Sequence, residues 1–556
     1  MTPPANAHWT ESVDASRYRS RGKRLFGLTV DPVVFFVSAA ITIAVILGTI
    51  LFAHAASAFF EWLRAAAVSR FNGFLMMAGN AFLLFCLGLI LSPLGSIRLG
   101  GKDARPDFSA LSWISMLFGA GMGIGLVFYG VSEPLTHFVS SVAADAGSAK
   151  SAAPLSGAAG NGEATRNLAM AATIFNWSLH PWAIYAVVGL GFAVFTWNYQ
   201  LPMSLRSVFY PLLGKAVWGF TGDVIDILAV LATLFGLATS LGMGAEQTMA
   251  GISYVYGVPG TPLGKILLIG VMTFFTFLSV WGGIEKGIRH MSEANMVLAA
   301  LLIAFVFGFG PTLLLTRALP ANSLHYLARL SALSNPIGRT DLDFYNNWSV
   351  YFWAWWISWA PFVGTFMARI SRGRTVRGFL LGAVLAPTVL CIIWLTVFGN
   401  AAINQVVSGD KAIAGAVLES QLFLLLDALP YTAITSSVGI VLIMIFFVTG
   451  WDSGTLVIDC MTSGGRTDTP LKQRVFWLLI VGVIATTLLL VGGLTALQAA
   501  AVTAGLPLAA VMLVMCVGLY RGLDAIRKDR HLGTAQDEDS LADVSARQSV
   551  FLRKTD

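Results

Sequence analysis

The chain has 556 residues, of which 56% are hydrophobic and only 12% are charged. A water-soluble globular protein carries about 25% charged residues, so this chain has too little polar surface for a soluble enzyme, a disordered protein or a nucleic-acid binder. The net charge of +6 does not indicate a nucleic-acid partner either, because the basic residues lie at the ends of apolar segments. The composition predicts an all-α protein that crosses a lipid membrane many times.

The chain begins with a polar segment, residues 1–31, which is too long and too polar for a secretory signal and is expected to be a tail. Twelve apolar segments follow, each of the length that a transmembrane helix needs. They lie at about 32–54, 73–94, 108–131, 169–197, 225–250, 264–282, 294–316, 346–370, 376–401, 435–458, 475–495 and 498–520. A second tail, residues 521–556, ends the chain.

The basic residues predict the orientation of these spans. If the first tail is cytoplasmic, 26 of the 35 Lys and Arg residues lie in cytoplasmic segments and nine lie in external ones. An excess of Lys and Arg is typical of the cytoplasmic side. We therefore expect both tails in the cytosol.

The third span contains GAGMGIG, with glycine at positions 119, 121, 123 and 125. Each glycine destabilises a helix interior by about 1 kcal/mol relative to alanine. This predicts a helix that unwinds within the membrane, which is tolerated only where the freed backbone lines a cavity or contacts protein. The alternative is close helix packing through small residues, but packing faces recur every three or four residues and not every two.

The eighth span is rich in tryptophan and contains Pro361, which removes one backbone hydrogen bond. Trp348 is expected in an aromatic belt at the membrane surface. Trp355 and Trp359 are four residues apart and are predicted to share a helix face, with Trp356 beside them. In all, five tryptophans fall within twelve residues: Trp348, Trp353, Trp355, Trp356 and Trp359.

Aromatic faces at membrane depth, with no carboxylate expected nearby, favour a permanent cation such as a quaternary ammonium group. Each cation–π contact contributes about 0.5–1 kcal/mol when exposed and about 2 kcal/mol when desolvated. The fourth span carries a second aromatic group, Trp177, Trp182 and Tyr185, which could complete a cage. Ordinary core packing is the alternative for this second group.

The third and eighth spans are each the first of five, so residues 108–316 and 346–520 are predicted to form two inverted repeats after two leading helices at 32–94. Broken helices at matching positions of such repeats are typical of secondary transporters, with the site between them.

The chain resembles the betaine/choline/carnitine transporter family. The resemblance rests on GMGIGLVFYGVSEPLTHF (121–138), WAWWISWAPFVGTFMARISRGRT (353–375) and DSG (452–454), and it extends over all twelve spans. It implies the five-plus-five inverted repeat of the leucine-transporter type, in a homotrimer. The implied substrate residues are Trp177, Trp182, Tyr185, Trp355, Trp356 and Trp359, with Met122, Gly125 and Phe366.

The resemblance also implies a bound sodium ion in sodium-coupled members, and no organic cofactor. The first site maps to the carbonyls of Gly119, Met122 and Phe446 and the hydroxyl of Thr449, followed by Gly450. The sodium-coupled pattern has serine at position 450. The second, weaker site maps to Thr233 and Phe362, with Leu237 where a hydroxyl is expected. Both departures remove oxygen ligands and leave proton coupling open.

Choline-type members often carry aspartate at the position of Gly125, whereas betaine-type members tend to have glycine. The leading expectation is therefore an ion-coupled importer of glycine betaine, with sodium favoured over protons. The alternatives are a proton-coupled or exchange carrier for choline or carnitine, and a membrane sensor without net transport. A membrane enzyme is disfavoured, because no nucleophile–base pair falls at membrane depth.

Three further acidic positions lie within or close to the predicted spans. Glu133–Pro134 is expected to end the third span on the external side. Glu246 could reach water from the external end of the fifth span or take part in ion coupling. Asp452 could cap or pair within the tenth span.

Overall fold

The computed structural model describes residues 22–121, 123–158, 162–282, 285–466 and 468–552, without the side chains of 118–121, 285–290, 292 and 530–552. Within these ranges one antiparallel hairpin precedes the helices, with Lys23 paired to Val30. Its strands are β1 (Lys23–Leu25) and β2 (Leu28–Val30). The tail residues 1–21 and 553–556 lie outside the described residues.

The first seven helices are α1 (Pro32–Leu51), α2 (Ala53–Leu91), α3 (Ala110–Gly121), α4 (Ile124–Asp145), α5 (Glu163–Trp177), α6 (Leu179–Ala193) and α7 (Phe220–Tyr256). The next eight are α8 (Pro262–Trp281), α9 (Glu285–Phe309), α10 (Thr312–Leu333), α11 (Tyr351–Ile370), α12 (Val376–Val407), α13 (Gln421–Asp427), α14 (Thr432–Thr462) and α15 (Leu471–Leu552). Short α turns lie at Tyr210–Leu213, Leu342–Phe344 and Ala412–Gly415, and π-helical turns at Val194–Asn198 and Tyr345–Val350. Short 3₁₀ turns lie at Pro93–Ser96, Lys150–Ala152, Pro154–Ser156, Leu205–Phe209, Gly214–Trp218 and Leu418–Ser420.

Within the described residues, eight helices are long and apolar enough to cross a membrane, or nine if α9 and α10, bent by 115°, count as one span. The predicted third and eighth spans are not among the eight. The third is divided between α3 and α4, and the eighth, α11, is rich in tryptophan, which lowers its hydropathy. The all-α polytopic class is confirmed, and the division into two five-helix repeats stays a prediction.

Helix α15 contains the last two predicted spans. Its 59 residues up to Asp529 would extend about 90 Å as a straight helix, roughly three times the hydrocarbon thickness. The chain breaks at Gly493, where φ is +58° and ψ is −151°, a conformation open to glycine alone. The preceding Gly492 packs against α2, since a Cβ atom added to it would lie 3.6 Å from Ser57 Oγ. The helix therefore forms two spans that meet beside the start of α2.

One side of the molecule is held together by a buried ion cluster around Arg206. The guanidinium donates to Asp226 at 2.5 Å and to Asp223 at 2.8 Å, and lies 3.6 Å from Asp31. Asp31 in turn donates its backbone N–H to the carbonyl of Thr462 at 2.8 Å. The cluster thus joins the start of α1, the loop before α7 and the end of α14, all of which are predicted to be cytoplasmic.

Two details differ from the sequence predictions. Glu133–Pro134 does not end the third span, because both residues are buried inside α4, which continues to Asp145. Proline removes one backbone hydrogen bond there, but the helix continues because Pro134 packs closely against α12. A Cβ atom added to Gly399 of α12 would lie only 2.7 Å from the Pro134 ring. The eighth span is not broken either, since α11 runs through Pro361 without interruption.

Candidate functional site

The predicted break in the third span is present and short. Helix α3 ends at Gly121 and α4 begins at Ile124, with Gly123 in an extended conformation (φ −140°, ψ −163°). Met122, a predicted substrate and ion ligand, lies outside the described residues. The last carbonyls of α3, including that of Gly119, and the first N–H groups of α4 have no helical partner at such a break.

A second break, which was not predicted, divides the fourth span at Ser178 (φ −109°, ψ −118°). Helix α5 ends at Trp177 and α6 begins one residue later. Pro181 was the available signal, because a proline nitrogen cannot donate to the carbonyl four residues earlier, which is that of Trp177. This break, and not one in the eighth span, is the second interruption of the membrane helices near the tryptophans.

The carbonyls freed at this second break orient the tryptophan rings. Trp356 Nε1 of α11 donates to the carbonyl of Asn176 at 3.0 Å. Trp182 Nε1 donates to the carbonyl of Trp177 at 3.2 Å. Buried indole N–H groups normally require an acceptor, and the end of α5 supplies one for each of these two rings.

Five of the six predicted cage rings lie together. Trp355 and Trp356 stack with centroids 4.7 Å apart and an interplanar angle of 21°. Trp177 meets Trp356 edge-on at 4.8 Å and Trp355 at 6.5 Å. Tyr185 lies 6.2 Å from Trp356 and 5.7 Å from Trp182. The fourth and eighth spans thus build one aromatic cluster, called the cage below.

Trp359 and Phe366 lie further along α11. Among the described rings Trp359 pairs with Phe362, at 5.2 Å and 73°, and not with a cage ring. It also packs against α7, where a side chain on Gly236 would approach Trp359 Cδ1 to 2.8 Å. The prediction that Trp359 joins Trp355 on one cage face is not met in this conformation, because Phe362 and α7 hold its ring.

Two aromatic residues outside the prediction belong to the cage. Phe352 lies parallel to Trp356 at 5.6 Å with an interplanar angle of 6°, and Tyr129 of α4 meets Phe352 edge-on at 5.1 Å. Tyr129 also lies 6.0 Å from Trp177. The signal for Phe352 was its position one helical turn before Trp356.

Gly125 lies against the cage. A Cβ atom at this position would be 2.7 Å from Cη2 of Trp355 and 3.1 Å from Cη2 of Trp177. Real Cβ contacts are not this close, so the absence of a side chain is what lets the first turn of α4 reach both rings. Any substituent here displaces at least one indole.

A carboxylate lies directly at the cage, contrary to the sequence expectation. Glu133 is fully buried, and its Oε2 accepts a hydrogen bond from Trp177 Nε1 at 2.6 Å. Its Oε1 accepts from Asn176 Nδ2 at 2.7 Å and lies 3.3 Å from His137 Nε2. This residue was not predicted at the site, because the proline that follows it indicated the end of the helix.

The predicted first sodium site involves α14, which is a continuous helix. Thr449 Oγ1 donates to the carbonyl of Ile445 at 2.8 Å, which leaves its oxygen lone pairs available. Outside its own helix, no atom of the described residues lies within 4 Å of where a side chain on Gly450 would begin. With its amide in the orientation that satisfies both atoms, Asn295 of α9 bonds the carbonyl of Leu442 and the N–H of Phe446, each at 3.2 Å.

The predicted second site involves α7 and α11. The hydroxyl of Thr233 is buried and has no hydrogen-bond partner among the described residues. Leu237, one turn further, packs directly over α14: a side chain on Gly454 would be 2.5 Å from Leu237 Cδ2. Leucine therefore fills the space in which a further hydroxyl ligand would point.

Two other acidic residues considered in the sequence, Glu246 and Asp452, have partners in the structure. Glu246 accepts a hydrogen bond from Lys265 Nζ of α8 at 2.6 Å. Asp452 accepts one from Ser279 Oγ, also of α8, at 2.5 Å. A cavity of about 330 Å³ lies apart from the cage, between Glu163, His325 and Arg329, and contains none of the predicted site residues.

Comparison with known proteins places these features in a family. The family of betaine/carnitine/choline transporters matches residues 33–528. A glycine betaine/proline/choline transporter of Vibrio parahaemolyticus is 47% identical over 517 residues, which cover 91% of this chain and 94% of that one. Glycine betaine transporter 1 of the same organism is 46% identical over 529 residues, covering 93% and 98%.

More distant proteins agree with this assignment or add nothing to it. The glycine betaine transporter OpuD of Bacillus subtilis is 39% identical over 499 residues, covering 89% of this chain and 95% of that one. Among solved structures, a Na⁺-coupled sialic acid symporter has a TM-score of 0.47 at 12% identity, covering 82% and 86%, which is too distant to support an inference. The resemblance noted in the sequence is confirmed: the chain belongs to the betaine/carnitine/choline transporter family, and it is a transporter and not an enzyme.

Proposed function

We propose that this transporter carries quaternary ammonium solutes, with glycine betaine as the main substrate. The observation that carries the proposal is the cage, in which Trp177, Trp355 and Trp356 lie within 6.5 Å of one another beside Gly125. Aromatic faces attract a methylated ammonium group that donates no hydrogen bonds. The two Vibrio relatives and OpuD are named for glycine betaine, which supports the same substrate.

The break in the third span suits the carboxylate of a zwitterion. Helix α4 begins at Ile124 beside the cage, and the N–H groups of a first helical turn, with the positive end of the helix dipole, favour an anion. Two further donors at the cage, Trp355 Nε1 and Ser178 Oγ, are buried without a partner among the described residues. Betaine would place its methyl groups on the rings and its carboxylate toward these donors.

For the coupling ion we propose sodium, bound by the carbonyls of Gly119, Met122 and Phe446 and by the hydroxyl of Thr449. The end of α3 leaves carbonyls without helical partners, and a water molecule has room beside Gly450 to replace the serine hydroxyl. The site at Thr233 and Phe362 is the weaker of the two, because Leu237 occupies the position of a hydroxyl. Coupling to protons, or exchange without an ion, is the alternative that the missing hydroxyls favour.

For the cellular setting we propose a homotrimer in the inner membrane of a bacterium, with both tails in the cytosol. The distribution of Lys and Arg supports this orientation. Native mass spectrometry of the protein released from detergent tests the trimer. Labelling of cysteines introduced into each tail, in intact cells and in inverted vesicles, tests the orientation.

The deciding experiment is uptake of labelled glycine betaine by proteoliposomes with the sodium and proton gradients imposed separately. We expect uptake with an inward sodium gradient and none with a proton gradient alone. Counterflow of labelled against unlabelled betaine without any gradient separates a carrier from a sensor, because only a carrier exchanges solute. Uptake driven by protons in sodium-free buffer would replace sodium with the proton-coupled alternative.

A further inference from the structure

Glu133 is a buried carboxylate that none of the predicted substrate or ion sites uses. It lies two turns after Gly125 on α4, and its side chain is 0% exposed. Among the described side chains no Lys or Arg forms an ion pair with it, and His137 Nε2, one turn further along the same helix, lies 3.3 Å from its Oε1. A carboxylate enclosed at this depth is costly unless hydrogen bonds or a counter-charge compensate for its lost hydration. Ionisable residues within membrane spans usually have a function.

The hydrogen bonds around Glu133 complement a negative charge. Trp177 Nε1 donates to Oε2 and Asn176 Nδ2 donates to Oε1. Neither nitrogen can accept a proton, so each oxygen receives a group that only donates. Hydrogen bonds of this kind are shorter and stronger to a carboxylate than to a neutral acceptor, and the distances of 2.6 and 2.7 Å agree with that.

The position of Glu133 links this charge to the substrate site. Its partner Trp177 is itself a cage ring, in edge contact with Trp356 at 4.8 Å. Its other partner, Asn176, provides the carbonyl that accepts the Trp356 indole. The carboxylate therefore fixes the orientation of one cage ring directly and of a second through the end of α5. Its negative charge also acts on a cation in the cage through a medium of low dielectric constant, in which electrostatic interactions are strong.

We propose that Glu133 is the counter-charge and the positioning residue of the cage, so that the site accepts a bare quaternary ammonium cation such as choline as well as a zwitterion. The proposal rests on the proposed function. Gly125 carries no charge that could balance a cation without its own carboxylate. Glu133, hydrogen-bonded to the edge of Trp177, provides the negative charge instead.

Glu133→Gln tests the charge, because glutamine retains the length of the side chain and an oxygen that accepts from Trp177. Choline lacks a carboxylate and depends on the counter-charge, whereas betaine carries its own. We expect the KM for choline to rise about tenfold, the effect of one charge contact at such a site. The KM for betaine should change by less than about threefold, and retained betaine uptake shows that the variant is folded.

Glu133→Asp tests the positioning, because aspartate retains the charge but is one methylene too short to reach Trp177. We expect the affinities for choline and betaine to fall together, with the ratio of the two unchanged. The matched control is Glu246→Gln, which neutralises a membrane carboxylate that is paired with Lys265. This control should leave the choline-to-betaine ratio of KM values at the wild-type value.

An unchanged choline-to-betaine ratio in Glu133→Gln would overturn the counter-charge proposal, and an equal shift in Glu246→Gln would show that the effect is not specific to the cage. Both outcomes differ from failure of the proposed function. If the proposed function fails, the wild-type protein itself transports neither choline nor betaine.

Discussion

The indole of Trp356 is hydrogen-bonded to the main-chain carbonyl of Asn176 at 3.0 Å, so the tryptophan helix α11 is fastened to the break in the fourth span. A carbonyl inside an unbroken helix would already accept a bond from the N–H four residues later. Because α5 ends at Trp177, this carbonyl is available to another helix. The break at Ser178 therefore provides the hydrogen-bond acceptor that orients Trp356 in the cage.

This relationship leads to a prediction for Trp356. Trp356→Ala should weaken betaine binding by about 1–2 kcal/mol, because it removes a desolvated ring from the centre of the cage. Trp356→Phe should lose less, since a π face remains, although its bond to Asn176 is gone. Trp359→Ala should have the smallest effect of the three, because its ring lies against Phe362.

Quenching of tryptophan fluorescence by betaine, with glycine as the unmethylated control ligand, measures each affinity. Equal binding of glycine and betaine would contradict the cage.

Gly125 should tolerate no side chain. Gly125→Ala places a Cβ atom 2.7 Å from Trp355, so the ring must move and the affinity for betaine should fall about tenfold. Gly125→Asp carries the same steric conflict and should reduce uptake of choline and betaine together. Gly88→Ala is the control, because its added Cβ meets no other segment of the described residues within 4 Å. Normal betaine affinity in Gly125→Ala would show that the first turn of α4 does not approach the occupied cage.

Gly450 should be the position at which sodium affinity can be raised. An added Cβ atom meets no other segment of the described residues within 4 Å there, and the hydroxyl of a serine could replace a water molecule as an ion ligand. We expect betaine uptake by Gly450→Ser to reach half-maximal rate at a lower sodium concentration than the wild type, and Thr449→Ala to abolish the response to sodium. If Thr449→Ala responds to sodium normally, the ion is not bound at this site.

Arg206 should be required for stability. Replacing it with glutamine leaves the buried carboxylate of Asp226 without its guanidinium, a change that costs roughly 3–5 kcal/mol. We expect a marked fall in the thermal unfolding temperature of Arg206→Gln in detergent. Arg466→Gln is the control, since it breaks an exposed pair with Asp468 that contributes at most about 1 kcal/mol. Similar unfolding temperatures for the two variants would show that the Arg206 cluster does not hold the helix ends together.

The sequence alone determined the membrane class and the all-helical character of the chain, and it predicted the chemistry of the site. Hydrophobic segments of about 20 residues have one stable solution in lipid, which is the helix. The alternating glycines predicted the break at Gly123, and the tryptophans of 353–359 predicted a site for a methylated cation. These features are local, since they depend on residues close together along the chain.

Only the tertiary structure decided which of these residues meet. Trp355 and Trp359 share a helix face by spacing, yet Phe362 and α7 hold Trp359 apart from the cage. Glu133 was expected at the surface because a proline follows it, but packing retains the helix, and donors from α5 satisfy the buried carboxylate. The physical reason is that desolvation and hydrogen-bond pairing of a buried polar group depend on the neighbouring helices, which no spacing within one segment encodes.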